Sequence, residues 1–239
     1  MLQKLQKTDY VISAWSGGTT TQLAIFPPDA VYAERDFLWR VSSATVELEE
    51  SEFTPLPAYE RLISTLEGGI ELSHNGGPTL TLRPFEVHAF SGADATHSRG
   101  RCTDFNLMLR RGRVTGSMEP LRLTEAPVSA HGLRCAASET LLLFCVSGRC
   151  FAEAAICHDA CARPLSEAEP PDAAPRAGAA IGRPPEVEAP RDGHPERSDS
   201  GAEGSVSLAS GETLLLTGPA LLTLSGEATL MLCRIRLCR

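Results

Sequence analysis

An all-β chain made of two like modules is the fold class that this sequence predicts, and three observations carry it. From Phe37 to Met108 the chain is a succession of short runs, FLWRVSSATVEL, ERLISTLEGGIEL, TLTLRPFEVHAFSG and DFNLMLRR, each β-rich and bounded by Gly or Pro. Such runs read as successive strands of a closed sheet and not as helices. The order LISTLEGGIEL then TLTLRPFEVHAFSG returns as LLLFCVSGRCFAEA and, after an interruption, SVSLASGETLLLTG; duplication of this kind marks two like modules. The interruption, 158–204, holds eight of the 17 prolines among Ala, Glu, Asp, Arg and Gly, with almost no large apolar side chains. It cannot bury enough surface to offset ordering entropy, so a disordered insertion within a hairpin of the second module is expected. The modules divide the chain into 1–118 and 119–239.

At 239 residues the chain is long enough to bury a proper core. A net charge of −8, with scattered basic residues, argues against a nucleic-acid surface, which needs clustered Lys and Arg. No apolar run reaches the ~18 residues of a membrane helix, and no early stretch reads as an export signal, so neither a membrane nor a nucleic acid is expected as a partner and a cytoplasmic location is. The eight cysteines then read as reduced, mostly buried thiols. Cys157 and Cys161 flank His158 in C-H-x-x-C, a spacing that fits no common zinc knuckle.

In chain order, residues 1 to 12 end in YVIS, a first strand. Trp15 to Pro27, WSGGTTTQLAIFP, follows: the paired glycines permit a tight backbone path and the Thr run with Leu23 and Ile25 suits a strand. A phosphate-binding loop is ruled out there because no Lys follows and no helix pattern begins. In FLWRVSSATVEL, Phe37, Trp39 and Val41 share one parity and Ala44, Val46 and Leu48 the other, which predicts a bulge or a change of sheet near Ser42 and Ser43. Arg40 projects opposite Trp39. The acidic run Glu47, Glu49, Glu50, Glu52 reads as a solvated loop that leads to Arg61. In Asp104 to Arg110, Phe105, Leu107 and Leu109 alternate with Asp104, Asn106 and Met108, so one side suits a core and the other a barrel mouth.

The motifs W-S-G-G-T-T-T-Q-L, F-L-W-R-V-S-S-A-T-V-E, L-x-G-x-x-x-L, L-R-P-F-E and D-F-N-L-M, in this order, resemble the HutD/Ves family over most of Trp15 to Arg111 and more faintly to Arg239. The resemblance implies a bicupin, two cupin-like barrels (double-stranded β-helices) in one chain, usually paired as a homodimer. It also implies a link to histidine utilisation through sensing or binding a metabolite such as a formylated amino acid, with no established catalysis. This chain departs from the family's frequent W-x-N-G-G-G-x-T-x-E: Ser16 precedes two glycines only, and Gln22 stands near the usual Glu. The proline-rich insertion also lies outside that pattern.

Metal-dependent cupins need an H-x-H with a nearby Glu and a later His to hold the ion. Here His74 and His88 stand singly, so neither a metal nor another cofactor is expected. Arg40 and Arg61, if aimed at one mouth, form a cationic pocket for a small carboxylated metabolite, since guanidinium pairs with carboxylate through two hydrogen bonds. Asp104 and Asn106 then meet its polar groups, and Trp15, Thr20 and Trp39 serve as walls. The competing assignment makes Asp104 the buried ion-pair partner of Arg40 or Arg61. Two further readings stay open: a metal-independent cupin enzyme, an isomerase or hydrolase with His88 or Glu86 as base, and a scaffold whose first barrel is filled by apolar side chains. No G-x-S-x-G elbow or activated Cys supports nucleophilic catalysis.

Overall fold

The structure, a computed structural model, describes residues 1–124, 131–156 and 202–238. The strands are β1 (Leu2–Leu5), β2 (Val11–Trp15), β3 (Gly18–Phe26), β4 (Trp39–Val46), β5 (Glu50–Glu52), β6 (Tyr59–Gly68), β7 (Ile70–His74), β8 (Leu80–Leu82) and β9 (Val87–Ser91). They continue with β10 (Thr96–Arg99), β11 (Cys102–Arg110), β12 (Val114–Leu123), β13 (His131–Cys135), β14 (Glu139–Ile156), β15 (Ala202–Ala209), β16 (Thr213–Thr217) and β17 (Ala220–Leu237). Among the described residues the helical content is two 3-10 turns, Lys7–Asp9 and Tyr32–Glu34, and no helix is long and apolar enough to cross a membrane. The chain is all-β, as its runs predict.

The strands form a front unit of two facing sheets, a main sheet ordered β2-β3-β4-β11-β6-β9 and a cover sheet ordered β5-β10-β7-β8. In the rear unit one sheet does both jobs, because β14 and β17 pair along their whole lengths and bend. One half of that ladder carries β12, β16 and β1, the other carries β13 and β15.

The duplication is visible rung by rung. Gly68 and Gly148 both have left-handed φ, +71° and +80°, and a Cβ on either would collide with a carbonyl oxygen of the facing strand, Arg101 or Glu227. Gly100 and Gly226, at φ +115° and +114°, face the carbonyls of Gly69 and Arg149 in return. These matched close approaches bend the chain where a side chain would not fit. Just before the first corner, β6 skips a residue against β11 beside Asp104, and β14 skips one against β17 beyond Cys145. β6 with β7 therefore corresponds to β14, and β10 with β11 to β17.

Apolar layers hold the units, with a smaller cluster of Phe37, Leu56, Tyr59 and Met108 beside them. The rear interior is Leu141, Leu143, Cys145, Leu214, Leu216, Leu222, Leu224, Leu230 and Leu232 with their neighbours; each such leucine contributes about 1.5–3 kcal/mol relative to exposure. Between the units, Trp39, Val41, Phe105, Leu107 and Leu109 meet Met118, Leu142, Phe144, Met231, Cys233 and Ile235. Inside the front unit, Val46, Ile63, Ile70, Leu72, Leu82 and Phe90 join the two sheets.

Several expectations change. The split at 118/119 does not follow the sheets, because β1 and β12 both belong to the rear sheet. No bulge occurs at Ser42 and Ser43, where β4 and β11 pair without a register shift. Both faces of β4 are buried, one inside the front unit and one against the rear unit, and this double burial gives it two apolar parities. The bulge sits on β3 instead, where Leu23 is skipped. Part of the acidic run is strand β5, with Glu49 facing Arg101 and Glu50 facing Arg99. Cys102, Cys135, Cys145, Cys150 and Cys233 are buried free thiols and Cys238 is exposed. The strands flanking the expected insertion, β14 and β15, are antiparallel neighbours. The insertion lies outside the described residues apart from Ala202–Gly204, which open β15; Cys157, His158 and Cys161 also lie outside them.

Candidate functional site

Three rungs of the main sheet aim side chains into the hollow between the front sheets. Across β4, β11 and β6 the rungs are Arg40, Met108, Arg61; then Ser42, Asn106, Ile63; then Ala44, Asp104, Thr65. Residues directly opposite share a face and successive residues alternate, so each of these points inward while Trp39, Val41, Phe105 and Leu107 point to the rear unit. The bulge at Leu23 lets β3 present Gln22 beside Ser42 while Phe26 stacks on Trp39 behind the sheet, 5.8 Å between centroids. The hollow is a cavity of about 250 Å³ lined by β2, β3, β4, β5, β6 and β11 with the segment around Tyr32.

The cavity's charges are held but not cancelled. Arg40 donates from Nε to Gln22 Oε1 at 2.8 Å and from Nη1 to Ser42 Oγ at 3.0 Å. Arg61, 7% exposed, donates from Nη2 to Asn106 Oδ1 at 3.1 Å, and its buried Nε has no partner. Arg35 also reaches the cavity, with Nη1 buried and unpartnered. The guanidiniums of Arg35 and Arg40 lie 3.7 and 4.1 Å from the Tyr32 ring centroid, a cation–π arrangement. Asp104 accepts at Oδ1 from the Ala44 amide at 3.0 Å and from Asn106 Nδ2 at 2.8 Å.

Burial pushes the Asp104 carboxyl up to about 6, against the pull of the Ala44 amide, Arg61, Asn106 and Arg40. Burial likewise lowers Arg40 to about 10 and depresses Arg61, yet a guanidinium remains charged at neutral pH. A buried N–H without a partner costs about 1–3 kcal/mol. Both donors belong to arginines that line the cavity, so each carries a hydrogen bond that the folded chain leaves unmade.

Of the residues singled out from the sequence, Trp15, Thr20, Arg40, Arg61, Asp104 and Asn106 all line the cavity. Trp39 does not. It is 5% exposed in the layer between the units, because it neighbours Arg40 on one strand and so takes the opposite face. The direct Arg–Asp ion pair is also absent among the described residues: no carboxylate lies within 4 Å of Arg40 or Arg61, and Asn106 links Arg61 to Asp104 instead. Neither base named for an enzyme lines the cavity. Glu86 is exposed and accepts from the Arg83 amide, and His88 bonds to His74. Sequence reasoning missed Tyr32 and Arg35, which lie on a connection with no periodicity to betray their direction; Arg35 itself is left-handed at φ 59°. Gln22, in the neighbourhood of the family's usual Glu, accepts the Arg40 hydrogen bond without neutralising it.

Among the described residues no group of three or more His, Cys, Asp or Glu could hold a metal ion.

The family model described as HutD matches residues 7–166. Protein Ves of Citrobacter koseri is 37% identical over 130 residues, 52% of this chain and 64% of that protein. An uncharacterized 21.2 kDa protein in the hutC 3' region of Pseudomonas putida is 31% identical over 152 residues, 61% of this chain and 74% of that one. Among solved structures, HutD from Pseudomonas fluorescens superposes with a TM-score of 0.64 at 19% identity, covering both chains fully. A conserved protein of unknown function from Pseudomonas aeruginosa gives 0.67 at 24%, also over both full chains. Oxalate decarboxylase from Bacillus subtilis gives 0.55 at 5%, covering 98% of this chain and 76% of that one. Neighbours of the last kind are cupin-like, and at such identities the likeness concerns the fold alone.

Proposed function

Since this chain belongs to the HutD family, we propose that it is a bicupin whose front cavity binds a small carboxylated metabolite, such as a formylated amino acid, and that binding serves to limit or report histidine breakdown. The link to histidine rests on the family and on the hutC-region relative. The chemistry rests on one observation, the buried cation Arg61, which lines the cavity with no carboxylate beside it among the described residues and with its Nε unpartnered. A carboxylate placed there accepts from Arg61 and Arg35, and Asp104 and Asn106 engage the polar remainder. The apolar filling of a pure scaffold is missing from this cavity, which Arg40, Ser42, Asp104 and Asn106 line. The homodimer implied by the family is part of the same proposal and is checked by the mass of the protein in solution.

The test is a thermal-shift series with N-formylated and free acidic amino acids on the wild type and on Arg61→Ala. A ligand at one hundred times its Kd stabilises by about 2.7 kcal/mol, which raises the Tm of a chain this size by roughly 5–10 °C. A shift in the wild type that Arg61→Ala loses is expected. No shift with any of these compounds overturns the proposal.

A further inference from the structure

Beside Phe90, His74 on β7 and His88 on β9 meet Nε2 to Nε2 at 2.9 Å, bridging the cover sheet to the main sheet. Their ring centroids are 5.1 Å apart. With the nitrogens that close, the rings point at each other almost end to end, the geometry of a hydrogen bond and not of two ligands converging on a third atom. His74 Nδ1 lies 2.8 Å from Thr96 Oγ1, which is 3.4 Å from the Asp94 carbonyl. If Thr96 donates to that carbonyl, it accepts from His74 Nδ1–H, and His74 Nε2 in turn accepts from His88 Nε2–H. Both rings contact Phe90, at 5.0 and 5.9 Å, and the Arg61 guanidinium lies 5.0 Å from the Phe90 centroid.

We propose that His74 and His88 form a proton-operated clasp that joins the two front sheets and, through Phe90, positions Arg61 in the cavity. A first proton, taken at His88 Nδ1, leaves the shared hydrogen bond intact. A second must go to His74 Nε2, where it faces the His88 N–H, so the doubly charged pair parts. The surroundings offer no counter-charge. Among the described residues no carboxylate lies within 4 Å of either ring. Asp94 is occupied by Asn75 Nδ2, Glu86 by the Arg83 amide, and Glu50 by His97 and Arg99 on β10; Glu71 on β7 is exposed. Glu52 on β5 lines the cavity, and Arg61 on β6 adds a positive charge beyond Phe90. Burial lowers the His88 pKa, and so does the repulsion between the two rings when both are charged.

The experiment follows the imidazole nitrogens and the Arg61 Nε–H by NMR on the full chain from pH 8 to 4.5, in the wild type, His88→Phe and His74→Gln. In the wild type the pair is expected to titrate in two separated steps. At the second step the His74–His88 hydrogen bond that closes the clasp is lost, and exchange of the buried Arg61 Nε–H with solvent, corrected for its intrinsic pH dependence, rises about fivefold, the factor for an opening eased by roughly one hydrogen bond. His88→Phe keeps an aromatic ring without a titratable nitrogen and loses that step; His74→Gln reads the same effect if the first variant fails to fold. Asp104→Asn separates the clasp from the cavity carboxyl and retains the step. Independent titration of both histidines near the ordinary value of about 6.5, or an Arg61 profile unchanged in both histidine variants, overturns the proposal.

Discussion

Where the front unit places Arg61, Asp104 and Asn106 on its inner face, the rear unit places Leu141, Leu230 and Leu232 on the corresponding rungs. The same comparison sets Phe90 against Leu216 and His88 against Leu214. The skipped residue and the corner glycines are common to both, so the contrast between the two interiors is written in the side chains on these rungs. One copy has become a packed core of leucines and the other has kept charge in a hollow. Buried charge is expensive and leucine is not, so the rear unit supplies stability that the front unit forgoes.

The sharpest way to break this contrast is to put a front residue in the rear. Leu141→Arg buries an unpaired cation in the apolar interior and should destabilise by roughly 3–5 kcal/mol, measured by urea unfolding; an effect below about 1 kcal/mol would show that the rear interior is not dry. The reverse exchange, Arg61→Leu with Asp104→Leu and Asn106→Leu, should raise stability by about 1–4 kcal/mol while abolishing every ligand-induced thermal shift. The corners come next. Gly68→Ala and Gly148→Ala each force a left-handed φ and a clash with a facing carbonyl, so each should cost about 1–3 kcal/mol; closely similar costs from the same unfolding assay would confirm that the two glycines do one job.

The smallest effect is in pH. Asp104, held near 6 in the folded chain, keeps a proton that the unfolded chain has already released between roughly pH 4 and 6. Its contribution is therefore fully present below that range and is lost as pH rises through about 6. Asp104→Asn, compared with the wild type at each pH, should become relatively more stable from pH 4 to 7 by roughly 2 kcal/mol. The Asn oxygen can still accept from the Ala44 amide and Asn106. Carboxylate binding in the wild type should tighten as pH falls through 6, a gain absent from the variant at any pH above that at which the histidine clasp parts.

Much of this was legible in the order of residues. The alternation in DFNLMLRR placed Asp104, Asn106 and Met108 in the cavity and Phe105, Leu107 and Leu109 behind it, and the internal repeat paired the strands correctly. Trp39 reads as a cavity wall only while its place next to Arg40 is ignored, since neighbours on one strand cannot share a face. The two parities of β4 read as a bulge or a change of sheet because nothing local shows that a second unit covers its back. Tyr32 and Arg35 had no pattern to announce them, since a connection follows the space its neighbours leave. The pairing of β1 with β16 joins positions more than 200 residues apart, which no window along the chain can reveal.

That last pairing ties the molecule together in a way its repeat hides. Leu2–Leu5 is hydrogen-bonded to the rear sheet, and the next strand in the chain, β2, edges the front one. A fragment that begins after the front unit would expose the raw flank of β16, and a fragment that ends there would carry an unattached arm. The two halves should melt together, in a single transition, and neither should be obtainable alone by cutting the chain in the middle.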